Sequence, residues 1–439
     1  MGYSETMAPQ LTSSVVPPLL DGEPRAPFGP RHTVGRPLRI LLALGLIASA
    51  CSGSDAASAE SATEPLSTEL LSTEAVSPEP TQEPAATLEP VATVGPETAD
   101  RDFAPVAAEI EAFVNERGLN GAGIVVVHRD EGEIYRDYFG EFSEDRISLI
   151  ASSSKMISAG VLLKLHEDGA LDIDMPLRDY IDWADPKSDI TAAQLMSNSS
   201  GLVGLGPNLL YGPYICQRLP TEELESCGEA VLSGTADDAD VIAPDTEFRY
   251  GGAQWQVAGA VAETVSGKPW SELVNEIYVE PCGLDSLGYI SLGSVASSAR
   301  GYPTAFGGDP DGVDATENPN IEGGAYITTS EYGELLLMHL RGGVCGETQV
   351  LSSDSLDTMH ADRIDAAYGG SAWPNTGYGM GWWVDRQTGR ISDGGAFGTV
   401  PWLDLDDGYG VYLVIEDTSD AGRELAGRIE DLIHTTVAG

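Results

Sequence analysis

Residues 103–439 read as an α+β domain: an antiparallel sheet covered by two terminal helices, with a mostly helical lobe inserted between its strands. Three observations predict this α/β sandwich. Helical periodicity opens the domain and closes it. A strand hairpin follows the first helix, and three or four strands precede the last. The stretch between them carries helical patterning. Sequential hairpins imply antiparallel pairing, and a helix with one apolar face must cover the sheet.

Each element has its own signal. Val106, Ile110, Phe113 and Val114 share one helical face. Gly123 to His128 reads as a strand, residues 130–132 as a turn, and Glu133 to Tyr138 as the partner strand. A helix is expected from Ser154 to His166, closed by Gly169. Helices are also expected over Gly252 to Val265, Pro269 to Val279 and Thr328 to Leu340. Strands return over Gly379 to Val384, Arg390 to Asp393, Val400 to Leu405 and Gly410 to Glu416. A last helix, Asp420 to Ile433, carries Leu425, Ile429 and Leu432. A cleft between sheet and inserted lobe is the expected ligand site.

The residues before 103 read as an address. Arg31, His32, Arg36 and Arg39 precede an apolar run, Ile40 to Ala48, and small residues follow. This is the layout of a secretory leader over 1–51, although the stretch before Arg31 is long for one and points to a start downstream of Met1. The run is too short to span a bilayer, which takes roughly twenty helical residues. Ile47-Ala48-Ser49-Ala50-Cys51 resembles a bacterial lipoprotein box, with Ala48 where Leu is usual. That implies acylation of Cys51 and an exported, membrane-anchored protein whose membrane contact is that anchor. Residues 52–102 hold eleven acids and one Arg among Ser, Thr, Ala and Pro, the composition of a disordered, extended tether.

The whole chain has 439 residues, with 69 acidic and 23 basic side chains and a net charge of −46. Such a charge repels phosphates, so nucleic acid is not an expected partner. Of the five cysteines, Cys216, Cys227, Cys282 and Cys345 lie in the domain. Export permits disulfides, and three pairings are possible. Cys216–Cys227 and Cys282–Cys345 are the favoured ones. The His residues are scattered, so no metal site is expected.

Three short segments carry chemistry. Ser152 and Lys155 stand three apart at the start of a helix, one turn from each other. A serine hydroxyl needs a neighbour to take its proton. A lysine can do so if burial and neighbouring cations lower its pKa. Ser-x-x-Lys is a weak signal by itself. Tyr250 lies in Pro244-Asp245-Thr246-Glu247-Phe248-Arg249-Tyr250-Gly251-Gly252. The third segment is Ser392-Asp393-Gly394-Gly395-Ala396-Phe397-Gly398-Thr399, followed by Trp402-Leu403-Asp404.

Taken together, these segments resemble the serine β-lactamase family, in the branch that joins class C β-lactamases, DD-carboxypeptidases, D-aminopeptidases and family VIII-type esterases. Residues 150–174 resemble its nucleophile helix. Ile190-Thr191 to Leu202 resembles its "ITxxxLLxHTSGL", with Asn198 in place of His. The second segment resembles "PGxxFxYSNxxxxLLG", the third "(K/H)-T/S-G" followed by "W(I/V)D". Gly323 to Leu337 and Tyr378-Gly379-Met380-Gly381-Trp382 resemble two further family segments, and the matches span about 105–435.

The resemblance implies a β-lactamase/penicillin-binding-protein-like fold and a metal-free, cofactor-free acyl-enzyme mechanism. Ser152 would be the nucleophile, Lys155 the general base and Tyr250 its partner. The Ser152 and Ala396 amides would hold the oxyanion, and Gly395 would let substrate approach. Two departures stand out. Gly252 replaces the Asn that orients a substrate amide and the lysine. Asp393 replaces a basic residue that holds a substrate carboxylate. Two like charges 4 Å apart repel by about 4 kcal/mol at an effective dielectric of 20. Arg390 lies on the opposite strand face from Asp393. The expected substrate is therefore a small-molecule ester or small amide, neutral or amine-bearing. The rivals are a DD-carboxypeptidase or β-lactamase, and a non-catalytic binding or sensor module of the cell envelope. Oligomeric state is not legible.

Overall fold

A computed structural model describes residues 101–439, except 185–188, 206–210, 236–238, 296–301, 304–305, 307 and 365–374. The expected leader, Cys51 and nearly all of the tether lie outside the described residues.

The domain opens with α1 (Ala104–Arg117), whose Gly118 cap takes the left-handed φ of 59°. The hairpin β1 (Gly121–His128) and β2 (Gly132–Gly140) follows. Next come β3 (Ile147–Leu149), a 3₁₀ turn over Ala151–Ser154 and α2 (Lys155–Glu167). The inserted lobe contains α3 (Ala192–Met196), α4 (Leu224–Thr235), α5 (Ala253–Ser266), α6 (Trp270–Val274) and α7 (Glu280–Cys282). A small sheet pairs β3 with β5 (Ala325–Thr328), and β5 with β4 (Gly288–Tyr289). Then come α8 (Thr329–Leu340), the short hairpin β6 (Val344–Cys345) and β7 (Thr348–Gln349), and α9 (Ser353–His360). The chain ends with β8 (Thr376–Tyr378), β9 (Trp383–Asp385), β10 (Ile391–Ser392), β11 (Thr399–Asp404), β12 (Tyr409–Val414) and α10 (Ser419–Ala438).

The main sheet has the order β2-β1-β12-β11-β10-β9-β8, antiparallel throughout. The first strands of the domain thus meet its last, and the lobe hangs between them. β1 lies between β2 and β12 and is buried on both faces, which explains its continuous apolar run. Ile124 and Val126 face the terminal helices, against Val106, Ile110 and Phe113 of α1 and Leu425 and Ile429 of α10. Val125 and Val127 face the other way, into the core shared with α2 and α8. Burying each such side chain is worth about 1.5–3 kcal/mol. On this second face Tyr332 of α8 stacks on Tyr412 of β12 at 4.1 Å.

Two expected elements are redrawn. Gly379 to Val384 is not one strand but a turn between β8 and β9. Gly381 takes a φ of 82°, and a Cβ there would stand 2.8 Å from the Lys155 main chain. The turn is pressed against the start of α2, and only glycine fits. The expected helix over Pro269 to Val279 begins as α6 and widens to a π-helical turn over Asn275–Val279. The disulfides are Cys216–Cys227 and Cys282–Cys345, as expected.

Candidate active site

The turn Ala151–Ser154 is stapled from three sides. Ser153 Oγ donates to the Asp393 main-chain oxygen at 2.7 Å and meets Thr399 Oγ1 at 2.8 Å. Ser154 Oγ donates to the Ala151 oxygen at 2.6 Å and accepts from the Ala325 N–H at 3.1 Å. Tyr332 donates to the Ser153 oxygen at 3.0 Å, and Thr399 to the Ile150 oxygen at 2.9 Å. Ser153 and Ser154 are buried structural hydroxyls, and Ser152 is the one partly exposed to the cleft. Ala151, just before it, is held at a φ of 47°, a left-handed conformation uncommon outside glycine. Ser152 therefore sits in a 3₁₀ turn ahead of α2 rather than inside the helix. The first N–H groups of such a turn lack helical partners.

Lys155, the first residue of α2, is 1% exposed. Its Nζ donates to the Glu322 main-chain oxygen at 2.9 Å and lies 4.8 Å from the Tyr250 ring centroid. Lys155 and Ser152 both favour the ionised form of the Tyr250 phenol. Tyr250 is itself set in an aromatic wall. It stacks on Trp383 at 5.4 Å and meets Tyr378 edge-on at 6.1 Å, with Phe248 packed against all three. Asn198, at a φ of 55° and fully buried, holds the Tyr250 segment in place. Its Oδ1 accepts from the Gly251 N–H at 3.3 Å and from the Gln254 amide, and its main-chain oxygen accepts from the Arg249 N–H at 2.8 Å.

The electrostatics differ from the sequence expectation. Burial alone would lower the Lys155 ammonium, but Tyr250, Asp393 and Glu322 outweigh it and the net shift is upward. The neighbours that raise it are acidic groups, so the condition of neighbouring cations that would lower it is not met by them. Burial likewise raises the Tyr250 phenol; Lys155 opposes this and Asp393 adds to it. Asp393 is 0% exposed, and neither carboxyl oxygen has a hydrogen-bond partner. Burial raises its pKa well above the carboxylate range, and Lys155 only partly opposes this. The two are linked: a proton on Asp393 weakens one of the three groups that hold the Lys155 ammonium.

The third segment is rearranged as well. Asp393 is fully buried and does not reach the cleft surface. A Cβ at Gly395 would stand 2.2 Å from the Ile150 oxygen and from Thr399 Oγ1. Its bareness serves packing against the nucleophile turn, where an open approach for substrate was expected. Ala396 is exposed beside that turn, and its N–H has no protein acceptor among the described residues. Arg390 is turned away, paired with Glu430 and lying over Trp402.

Gly252 caps the start of α5. A Cβ there would stand 2.6 Å from Glu322 Oε1 and 2.7 Å from Gln217 Oε1. The volume a side chain at 252 would take is filled from across the lobe. Sequence reading missed Glu322, because nothing local marks it; only the bareness of Gly252, 70 residues earlier, hinted at a replacement. The adjoining pocket is lined by Val203, Leu205, Tyr211, Gln217, Arg218 and Gly252, among others.

A sheet closed by terminal helices, with a serine, a buried lysine and a tyrosine meeting under an inserted helical lobe, defines the class of β-lactamase-like serine hydrolases. The family model "Beta-lactamase" matches residues 106–434. The chain belongs to that family. Among curated relatives, it is 23% identical to "Penicillin-binding protein 4" of Amycolatopsis lactamdurans over 75% of this chain and 90% of that protein. It is 28% identical to "Esterase EstB" of Burkholderia gladioli over 47% of this chain and 56% of that one. Among solved structures, "EstCE1, a hydrolase with promiscuous acyltransferase activity" superposes with a TM-score of 0.61 at 20% identity, covering 76% of this chain and 98% of that one.

Proposed function

We propose that this protein hydrolyses a small ester or amide through an acyl-enzyme on Ser152. One observation carries the reading: the buried Lys155 has its Nζ 4.8 Å from the Tyr250 ring, and Lys155 and Ser152 both favour the ionised form of that phenol. Ser152 Oγ attacks the acyl carbon while its proton passes through Tyr250 into the Tyr250–Lys155 pair. For this the pair must hold one proton fewer than ammonium plus phenol. It then returns the proton to the leaving oxygen or nitrogen, and water repeats the sequence to free Ser152. The Ser152 and Ala396 N–H groups stabilise the oxyanion; losing one such donor typically costs about 3 kcal/mol of barrier.

A DD-carboxypeptidase or β-lactamase would use the same three side chains. Asp393, buried and drawn toward its neutral form, supplies no cation to a substrate carboxylate, which favours the esterase or small-amidase reading. A non-catalytic envelope module would not need Ser152 singled out for exposure among three serines. Labelling with a fluorophosphonate, followed by peptide mapping, tests the reading. It predicts the label on Ser152 and none in Ser152→Ala; a label elsewhere, or none in wild type, would sink it. Stable labelling by a fluorescent penicillin would move the substrate to the carboxypeptidase side. We further propose that Cys51 is lipidated and tethers the domain to the outside of a bacterial membrane, which Cys51→Ser would release.

A further inference from the structure

Glu322 has a carboxyl oxygen, Oε2, that is buried and without a hydrogen-bond partner. Buried polar atoms are rarely left so, and a carboxyl oxygen is an acceptor in search of a donor. Its other oxygen accepts from Asn320 Nδ2 at 3.4 Å and stands against Gly252, which with Gln217 lines the pocket. Gly323, the next residue, packs on Ala151; a Cβ at Gly323 would stand only 3.5 Å from the Ala151 carbonyl carbon. Glu322 thus stands one residue from the nucleophile turn. Lys155 does not satisfy it, because its Nζ hydrogen bond goes to the Glu322 main-chain oxygen.

The surroundings favour a cation. Phe248, Tyr250 and Trp383 of the aromatic wall are partly exposed, and rings of this kind attract ammonium groups. Lys155 and Arg218 both favour the ionised form of Glu322, yet burial still wins and its pKa is raised.

We propose that Glu322, given access by the bareness of Gly252, binds an ammonium group on the substrate close to the scissile carbonyl, so that the site selects amine-bearing acyl compounds over their neutral isosteres. The proposal rests on the hydrolase reading for its scissile bond, but the binding it requires can be measured without turnover.

The experiment is an NMR or calorimetric titration of the full chain with alaninamide and with propionamide, which has no amine. Wild type, Glu322→Gln and Gly252→Ala are compared. Alaninamide is expected to bind roughly tenfold or more tighter than propionamide in wild type. Glu322→Gln is expected to remove most of that preference. Gly252→Ala, whose Cβ displaces the carboxyl, is expected to weaken it in the same direction. Equal affinities in wild type, no saturation by either amide, or a preference retained in Glu322→Gln would each overturn the proposal. Thermal melts report whether the variants fold, and Gly252→Ala gives an answer if Glu322→Gln does not. Fluorophosphonate labelling of Ser152 runs in parallel. A preference without labelling sinks the hydrolase reading and keeps the ammonium site; labelling without a preference does the reverse.

Discussion

Ser153 Oγ donates a 2.7 Å hydrogen bond to the main-chain oxygen of Asp393. This contact ties the turn that carries Ser152 to the end of β10, the stretch that leads on to Ala396. Ser153→Ala removes it and leaves a buried oxygen short of its donor. The expected loss is about 1–3 kcal/mol of stability, with turnover falling roughly tenfold and KM little changed, as suits a transition-state contact. Denaturant melts and steady-state kinetics check both. Unchanged turnover would detach the oxyanion site from this contact.

Asn198 is the next lever. It holds Arg249, Gly251 and Gln254 around Tyr250 without touching the reacting atoms. Tyr250→Phe is expected to slow turnover more than it changes binding. Asn198→Ala is expected to act in the same direction but less, at roughly tenfold, with about 1–2 kcal/mol of stability lost. An Asn198→Ala enzyme with full turnover would show that Tyr250 needs no such support.

Asp393 makes a prediction about pH. Its folded-state pKa is raised by burial, while the unfolded carboxyl ionises near 4. Above that pH the unfolded chain binds fewer protons than the folded one, so this group makes stability fall as pH rises. Asp393→Asn keeps the shape and removes the ionisation. The variant is expected to melt higher than wild type at pH 7–8, with the difference shrinking toward pH 4. A variant that melts lower at every pH would contradict this reading of Asp393.

The buried pair His339 and His360 gives the opposite sign. Their rings meet at 2.9 Å, Nδ1 to Nε2, beside Trp382. Burial lowers His360 to about 4, and it lowers His339 well below its ordinary value, with His360 adding to the effect. The unfolded imidazoles bind protons near 6.5, so acidification from about 6.5 toward 4 favours unfolding. His360 alone accounts for about 3 kcal/mol across that window. His360→Gln is expected to flatten the acid limb of a stability–pH curve by about one proton. An unchanged slope would show that the pair takes up no proton on unfolding.

Much of this architecture was legible beforehand, for reasons visible in particular residues. β1 and β12 are unbroken apolar runs because they are buried on both faces, and α1 and α10 repeat their apolar residues at helical spacing because only one face meets the sheet. Ser152, Lys155 and Tyr250 stood out because each sits in a local motif. Local reading failed where a contact joins distant segments. Gly381 ends β8 because it rests on Lys155, and Gly395 is bare because it rests on Ile150. Glu322 fills the gap at Gly252 with nothing in its own neighbourhood to announce it, and the anions around Lys155 come from three separate stretches of chain.

The central claim is that Ser152 becomes acylated and is then freed by water. Pre-steady-state release of p-nitrophenol from p-nitrophenyl propionate by the full chain, wild type beside Ser152→Ala, tests it most directly. The account predicts a burst close to one equivalent per chain in wild type, followed by slower turnover, and no burst in the variant. Equal rates in both proteins, with no burst in either, would contradict it.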